Sequence, residues 1–326
     1  MALGAAWQAK FHRFAALALA GGAGLVVCLT FVRGAAPDLA LTQLMVEIVT
    51  TVLLLLGLRW LPKRIPFAWT REGARAARPR RLRDLVLAAS CGAGVGALAY
   101  AVMTRPLPET ISRYFMENAW PLGGGSNVVN IIIVDFRGFD TLGEVSVLAV
   151  VGISVYALLR RFRPARESLD TPPRPEPVQG AAEDLLVPAV IMRFMFPVIG
   201  LLAGYLLLRG HNLPGGGFVA GLALAIAVLL QYVAGGTRWA EQRLAIRPTR
   251  WMGAGLLLGG ATGAGAWLFS HAFLTSHTAH LDLPLLGELH LPSAFLFDLG
   301  IFSVVVGATG LILIAIAHQS VRHPWN

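Results

Sequence analysis

The amino-acid sequence predicts an all-α fold: a polytopic helical membrane protein with about eight transmembrane helices in two four-helix modules. Three observations lead there. First, only 14% of the 326 residues are charged and 56% are hydrophobic, whereas a soluble domain carries about 25% charged residues. The mean hydropathy is correspondingly high, +0.64. Second, the apolar residues come in eight long blocks, and a helix needs roughly 20 apolar residues to cross hydrocarbon. Third, Lys and Arg gather between alternate blocks. The net charge of +9 is therefore explained by basic loops facing one side of a bilayer, and it calls for no nucleic-acid partner.

The eight blocks cover about 14–32, 38–58, 84–104, 140–159, 189–208, 217–234, 252–270 and 294–317. With the amino terminus inside, the inner side collects Lys10 and Arg13, nine basic residues from Arg59 to Arg83, and five from Arg160 to Arg174. Arg193, Arg238, Arg243, Arg247, Arg250 and Arg322 join them, against only Arg33, Arg105, Arg113, Arg137 and Arg209 outside. Positive residues mark the cytoplasmic side, so both termini are expected in the cytoplasm. The first block is read as a retained span, because it exceeds a usual signal core and Arg33 interrupts it before "GAAP".

Between the fourth and fifth blocks, "PARESLDTPPRPEPVQGAAED" (164–184) has five prolines and no apolar periodicity. It is expected to be a cytoplasmic linker dividing the chain into modules at 1–163 and 185–326. No repeat relates the two, which suggests fusion rather than duplication. Cys28 and Cys91 sit within apolar runs and are expected as small packing residues, not as a disulfide. Glycines four apart (Gly92 and Gly96, Gly217 and Gly221, then Gly255, Gly259 and Gly263) predict close helix contacts, within the chain or with a neighbour in a larger complex.

Acids at membrane depth carry the functional signal. Glu47 follows Asp38 by nine residues and precedes Leu58 by eleven, which at 1.5 Å per residue places it near the bilayer centre. A carboxylate there costs roughly 2.5–3.5 kcal/mol on insertion scales. Gln43, Thr50 and Thr51 share its helical face. Glu47 is either a hydrogen-bonded anchor between helices or a group that carries protons or coordinates a cation. Hydrocarbon favours the neutral form of a carboxyl group, which would bring proton exchange within its reach. Asp38, after Pro37 at the helix start, fits a capping role.

The stretch "NVVNIIIVDFRGFDTLGEVSVLAV" (127–150) holds three more acids. Gly138 after Arg137 is expected to break it into a short apolar segment, 127–135, and a crossing helix from about 140. Asp140 and Glu144 then share a face, with Arg137 positioned to pair with Asp135 or Asp140 at the surface. Both aspartates suit an interfacial ion-pair cluster. Glu144 enters an otherwise apolar helix and is the stronger candidate for a functional role. The preceding "PLGGGSN" gives the backbone freedom for a tight or re-entrant turn.

In the second half, "RGHNLPGGGF" (209–218) reads as a turn, with His211 as a surface residue. Asp298 lies inside the last span and demands a partner, in a structural or an ionic role. The loop 271–293 holds His271, His277, His280, His290, Asp282 and Glu288, without a recognised metal-ligand spacing. No HExxH, GxSxG or Walker pattern occurs, and "HTAHLD" alone is a weak acyltransferase signal. No enzyme, cofactor or metal is expected.

Longer motifs carry a family resemblance. "GAAPDLALTQLMVE" (34–47) and "GGGSNVVNIIIVDFRGFDTLGE" (123–144) resemble the carboxy-terminal region of the large A-type component of Mrp-type multisubunit Na+/H+ antiporters, and small membrane components of membrane-bound hydrogenases. "LLLRGHNLPGGGFVAGLALAIAVLLQY" and "LPLLGELHLPSAFLFDLG" resemble the B-type component of the same antiporters, an MnhB-type domain. The resemblance covers about 34–160 and 185–318.

It implies a component that works with a large antiporter-like subunit and small membrane subunits, exchanging Na+ or another monovalent cation for H+ across the lipid bilayer. Glu47 and Glu144 coincide with acids of the family's motifs, in a region thought to contribute to ion passage. His211, Asn212 and Asp298 fall in B-type motifs and are expected to be structural. The ion or proton path is thus expected to use Glu47, Glu144, Gln43, Thr50, Thr51 and Asp140, with Asp38, Asp135, Asp298 and His211 in second place. In the resembled A-type proteins this region follows a long antiporter-like portion on the same polypeptide. Here it begins near Met1, so that portion is expected as a separate product or not at all. A redox-driven pumping complex and a purely structural adaptor therefore stay open as alternatives.

Overall fold

A computed structural model describes residues 1–9, 12–58, 71–106, 109–161, 186–244, 246–283 and 287–322. Lys10, much of the basic 59–83 segment and the 164–184 linker lie outside the described residues. Among the described residues, eight helices are long and apolar enough to span a membrane, so the chain is a multi-pass membrane protein. It forms two compact units, Met1–Leu61 with Phe115–Asn326, and Pro62–Tyr114.

The smaller unit contains α4 (Arg71–Thr104), basic at first and apolar from Leu82 onward, with Pro79 in its early turns.

The larger unit begins with the short α1 (Ala2–Gln8), packed on α2 (Arg13–Arg33). Arg33 lies in the last turn of α2, where a cation suits the carbonyl end of the helix. Three residues then turn the chain into α3 (Pro37–Leu58), whose first turn holds Pro37 and Asp38, and α2 and α3 pack as a hairpin. After α5 (Ser112–Gly123) comes the broken element. α6 (Val128–Ile131) runs into one wide π turn, Ile132–Phe136; Arg137 leaves helical geometry, and α7 (Gly138–Arg161) follows. The break falls at Arg137–Gly138, as the sequence leads one to expect. Thr141 donates to the Ile133 carbonyl at 2.7 Å, supplying a partner at the irregular turn.

From Leu186 onward come α8 (Leu186–Arg209), α9 (Gly217–Arg243, kinked where Gly236 has φ +76°), α10 (Pro248–Gly265) and α11 (Ala294–Arg322). The 271–293 segment, expected as a loop, contains an antiparallel hairpin of β1 (Thr278–Leu283) and β2 (Gly287–Pro292), with His280 opposite His290 and Asp282 opposite Glu288. This small addition leaves the spanning architecture all-helical.

α11 is the centre of the larger unit. It packs on α10, α9, α7 and α3, and two-thirds of its spanning window is buried, 67%, against 11% for α2 or α3. The core joins residues from distant parts of the sequence: Val49, Val134, Val145 and Ala149 meet Phe297, Ile301, Val304 and Ala308. Close contact needs small residues, since apolar side chains gain little by leaving lipid. At the α10–α11 crossing, a methyl on Gly255 would strike the Gly300 carbonyl and Val304, and one on Gly300 would strike the Gly255 carbonyl. The glycine spacing in α10 therefore serves packing inside this chain. Cys28 is likewise a packing residue, buried with its thiol on the Ala40 carbonyl at 3.2 Å.

Candidate functional site

Two glycine-rich turns knit together at one end of the larger unit, and a cavity opens beneath them. Asn127 is the knot. Its side-chain oxygen accepts from the Asn130 amide at 3.3 Å and so caps α6. Its Nδ2 donates to the Gly210 carbonyl (3.0 Å), the Leu213 carbonyl (3.1 Å) and Asp38 Oδ1 (3.2 Å). The Asn127 amide donates to the His211 carbonyl at 3.1 Å. Ser126 Oγ donates to the Asn212 carbonyl at 2.9 Å. "GGGSN" and "RGHNLPGGG", far apart in sequence, thereby form one polar lid.

The cavity has a volume of about 520 Å³ and is walled by α3, the α6–α7 break, the start of α9 and α11. Its polar lining includes Asp38, Gln43, Asn130, Thr141, Glu144 and Asp298, and among the described residues no Lys, Arg or His lines it. Asp38 Oδ1 also accepts from the Gly215 amide at 3.2 Å, so this helix-start acid holds the lid as well as opening α3. Asp298 is 4% exposed, and its Oδ1 accepts from the Gly217 amide at 2.8 Å at the N-terminus of α9, where the helix dipole favours an anion. Glu144 reaches the cavity with no hydrogen-bond or ion-pair partner among the described residues. Three carboxyl groups thus face one space whose described lining holds no countercharge.

Glu47 lies just behind this wall. Gln43 Nε2 donates to its Oε2 at 3.3 Å and Thr51 Oγ1 to its Oε1 at 3.4 Å. The carboxylate fills the niche left by Gly21 and Gly24 on α2, where a methyl on Gly24 would collide with it. Gln43 both binds Glu47 and lines the cavity, linking the two. Thr50 does not join: its hydroxyl donates back to the Val46 carbonyl at 2.8 Å, since a helical threonine finds the carbonyl four residues earlier within reach.

The other candidates sit apart from the cavity. Asp140 pairs with Arg137 at the exposed surface. Asp135, expected as the alternative partner of Arg137, instead accepts from Ser276 Oγ (2.7 Å) and the Ser276 amide (3.2 Å). Burial pushes its carboxyl above the usual range, with Ser276 and the charge of His211 offsetting part of the rise. His211, expected on the surface, is 9% exposed. The lid folds it inward, and its Nε2 bonds the Gly123 carbonyl at 2.8 Å. Burial depresses its pKa below 6.5, against the pull of the Gly123 carbonyl and Asp135. Among the described residues no cluster of His, Cys, Asp and Glu is arranged to hold a metal ion.

Asn127, Asn130, Thr141 and the Gly21–Gly24 niche were not singled out from sequence. The signal for the asparagines was present: two amides three residues apart in an otherwise apolar run.

Comparisons with known proteins place the chain in a family. Residues 1–63 match the MbhD family, described as the D component of MBH, and residues 79–176 match MbhE, described as its E component. Residues 187–311 match a domain related to the MnhB subunit of Na+/H+ antiporter. A probable K+/H+ antiporter A/B subunit of Rhizobium meliloti (strain 1021) is 60% identical over 99% of this chain and 34% of its own length. The Na+/H+ antiporter B subunit of Bacillus subtilis (strain 168) is 40% identical over 37% of this chain and 85% of that protein. A chain in the structure of the Mrp complex from Dietzia sp. DQ12-45-1b superposes with a TM-score of 0.81 at 33% identity, covering 94% of this chain and 32% of that one. The chain thus spans about a third of the Rhizobium protein. It belongs to the Mrp-type multisubunit antiporter family, joining the carboxy-terminal part of an A-type component to an MnhB-type B component.

Proposed function

We propose that the chain is a membrane subunit of a multisubunit monovalent cation/H+ antiporter complex, and that its cavity is a segment of the ion path. The observation that carries this reading is the set of three carboxyl groups, Asp38, Glu144 and Asp298, on a cavity lined by no basic side chain among the described residues. Acids from distant parts of the sequence are retained within membrane-spanning helices, which is the mark of an intramembrane ion or proton pathway. Glu144, reaching the cavity without a partner among the described residues, is the exchanging group. Glu47 is the next station, reached through Gln43 and steadied by Thr51. Thr50 lies on the same helix beside it. Asp140 with Arg137 offers charge at the surface end of α7, and Asp135 and His211 shape the lid. The work is transport rather than chemical conversion, and it draws on no cofactor.

The partners are the large antiporter-like subunit and the small membrane subunits of the complex, in a bacterial inner membrane. Both termini face the cytoplasm, following the positive-inside distribution. The cation is Na+ or K+, since relatives carry either name.

Everted vesicles containing the assembled complex test this. Added Na+ or K+ dissipates a respiration-driven pH gradient in wild type, and Glu47→Gln and Glu144→Gln each lose most of that response while the complex still assembles on native gels. Normal exchange in both variants refutes the assignment. Loss of assembly in both makes the chain a structural adaptor instead.

A further inference from the structure

At the inner end of the α8–α9 turn, Gly216 adopts φ +97°, a conformation that suits glycine. A methyl built there would be met by two oxygens, Asn130 Oδ1 at 2.7 Å and Asp298 Oδ2 at 3.4 Å. The two come from opposite halves of the chain and converge on one point at the cavity wall. Asp298 Oδ1 is already held by the Gly217 amide, which fixes the carboxylate and leaves Oδ2 on the Gly216 side. Asn130 supplies a second, independent sign. It is 7% exposed, lines the cavity, and its Nδ2 has no hydrogen-bond partner among the described residues. A buried N–H left unpaired is costly, so the site asks for an oxygen not supplied by the protein.

We propose that Asp298, Asn130 and Gly216 form a monovalent-cation subsite, in which Asp298 Oδ2 and Asn130 Oδ1 hold the ion and water completes its shell. A bound water accepts from Asn130 Nδ2. Both protein ligands are hard oxygens, as a weakly polarising alkali cation prefers, and one negative charge matches a single positive one. Gly216 keeps the space open, because any side chain there would occupy the ion's place. The subsite lies where the A-like and B-like parts meet, so an ion held there bridges the fused halves. It rests on the cavity being an ion path, and it adds a second binding group to Glu144.

The test reads binding directly on the full chain purified in detergent. Thermal unfolding is followed in NaCl and KCl, with choline chloride at equal ionic strength as the reference, at two pH values. Wild type gains a saturable rise in Tm with Na+, K+ or both. Asp298→Asn keeps the acceptor for the Gly217 amide, so the fold is retained, yet its half-saturating concentration rises by about tenfold or more. Asn130→Ala, which leaves that cap untouched, shifts the same midpoint in the same direction. No cation response in wild type, or an unchanged midpoint in both variants, overturns the subsite. A response to pH alone that vanishes in Asp298→Asn also overturns it, making Asp298 a proton site. The two readings fail separately: cation binding here with no exchange in vesicles defeats only the transport role, whereas exchange with an unmoved midpoint defeats only the subsite.

Discussion

Asn127 holds the lid over the cavity, and its replacement measures how much that lid contributes to the fold. The side chain is 8% exposed. Its two N–H groups are shared among Asp38 Oδ1 and the carbonyls of Gly210 and Leu213, and its oxygen caps the Asn130 amide. Each net hydrogen bond is worth about 1 kcal/mol, and a lost N-cap costs a similar amount, so Asn127→Ala is expected to destabilise by about 3 kcal/mol. Asn127→Asp is the sharper variant. It keeps the size and the capping oxygen, yet replaces the donor with a carboxylate facing Asp38 and two carbonyl oxygens. Like charges at that separation repel, so this variant loses at least as much stability as Asn127→Ala at neutral pH. Protonation of the introduced carboxyl group restores a donor for Asp38, which raises the folded pKa of that group above its unfolded value. Stability in Asn127→Asp is therefore present at low pH and lost as pH rises through that folded value. Urea or thermal unfolding in detergent, followed by tryptophan fluorescence across pH, reads both effects. An Asn127→Asp protein as stable as wild type at neutral pH refutes the assignment of Nδ2 as the shared donor.

Two further outcomes follow from the same geometry. His211 is held below its ordinary pKa of 6.5 by burial, so the unfolded chain binds the proton more readily. Its contribution is full above 6.5 and is lost as pH falls through the lowered folded value; Asp135, shifted upward from 3.8, acts oppositely as pH rises. His211→Gln, which retains a donor for the Gly123 carbonyl, should flatten the acidic decline in Tm, and an unchanged decline assigns it to another group. Gly24→Ala and Gly255→Ala separate a side-chain collision from a backbone one. The first meets the movable end of Glu47 and offsets it with up to ~1 kcal/mol of helix propensity, while the second meets the Gly300 carbonyl and costs about 1–3 kcal/mol more. Differential scanning fluorimetry orders the pair, and equal stabilities would argue against the close α10–α11 crossing.

The eight spans, the break at Arg137–Gly138 and the glycine-spaced helix face of α10 were legible in the sequence. Each follows from a local rule: the length of an apolar run, the freedom of one glycine, or a spacing of four residues. The acids at membrane depth were legible for the same reason, since a carboxylate in an apolar run stands out against its neighbours. Which of them share a space was not. Glu144 and Asp298, far apart in sequence, meet one cavity only because α7 packs on α11, while Asp140, on the same helix face as Glu144, stays at the surface with Arg137. His211 looked like a surface residue because its burial comes from a second turn, "GGGSN", that the local pattern cannot bring alongside.

Spans, loop-charge bias and kinship were therefore determined by the order of residues alone, because bilayer thickness and loop charge act on each segment separately. The tertiary structure decided which oxygens face one another. Asp298, Asn130 and Gly216 come together only through long-range packing, and hydrogen-bond geometry between distant segments leaves no periodic trace in a chain.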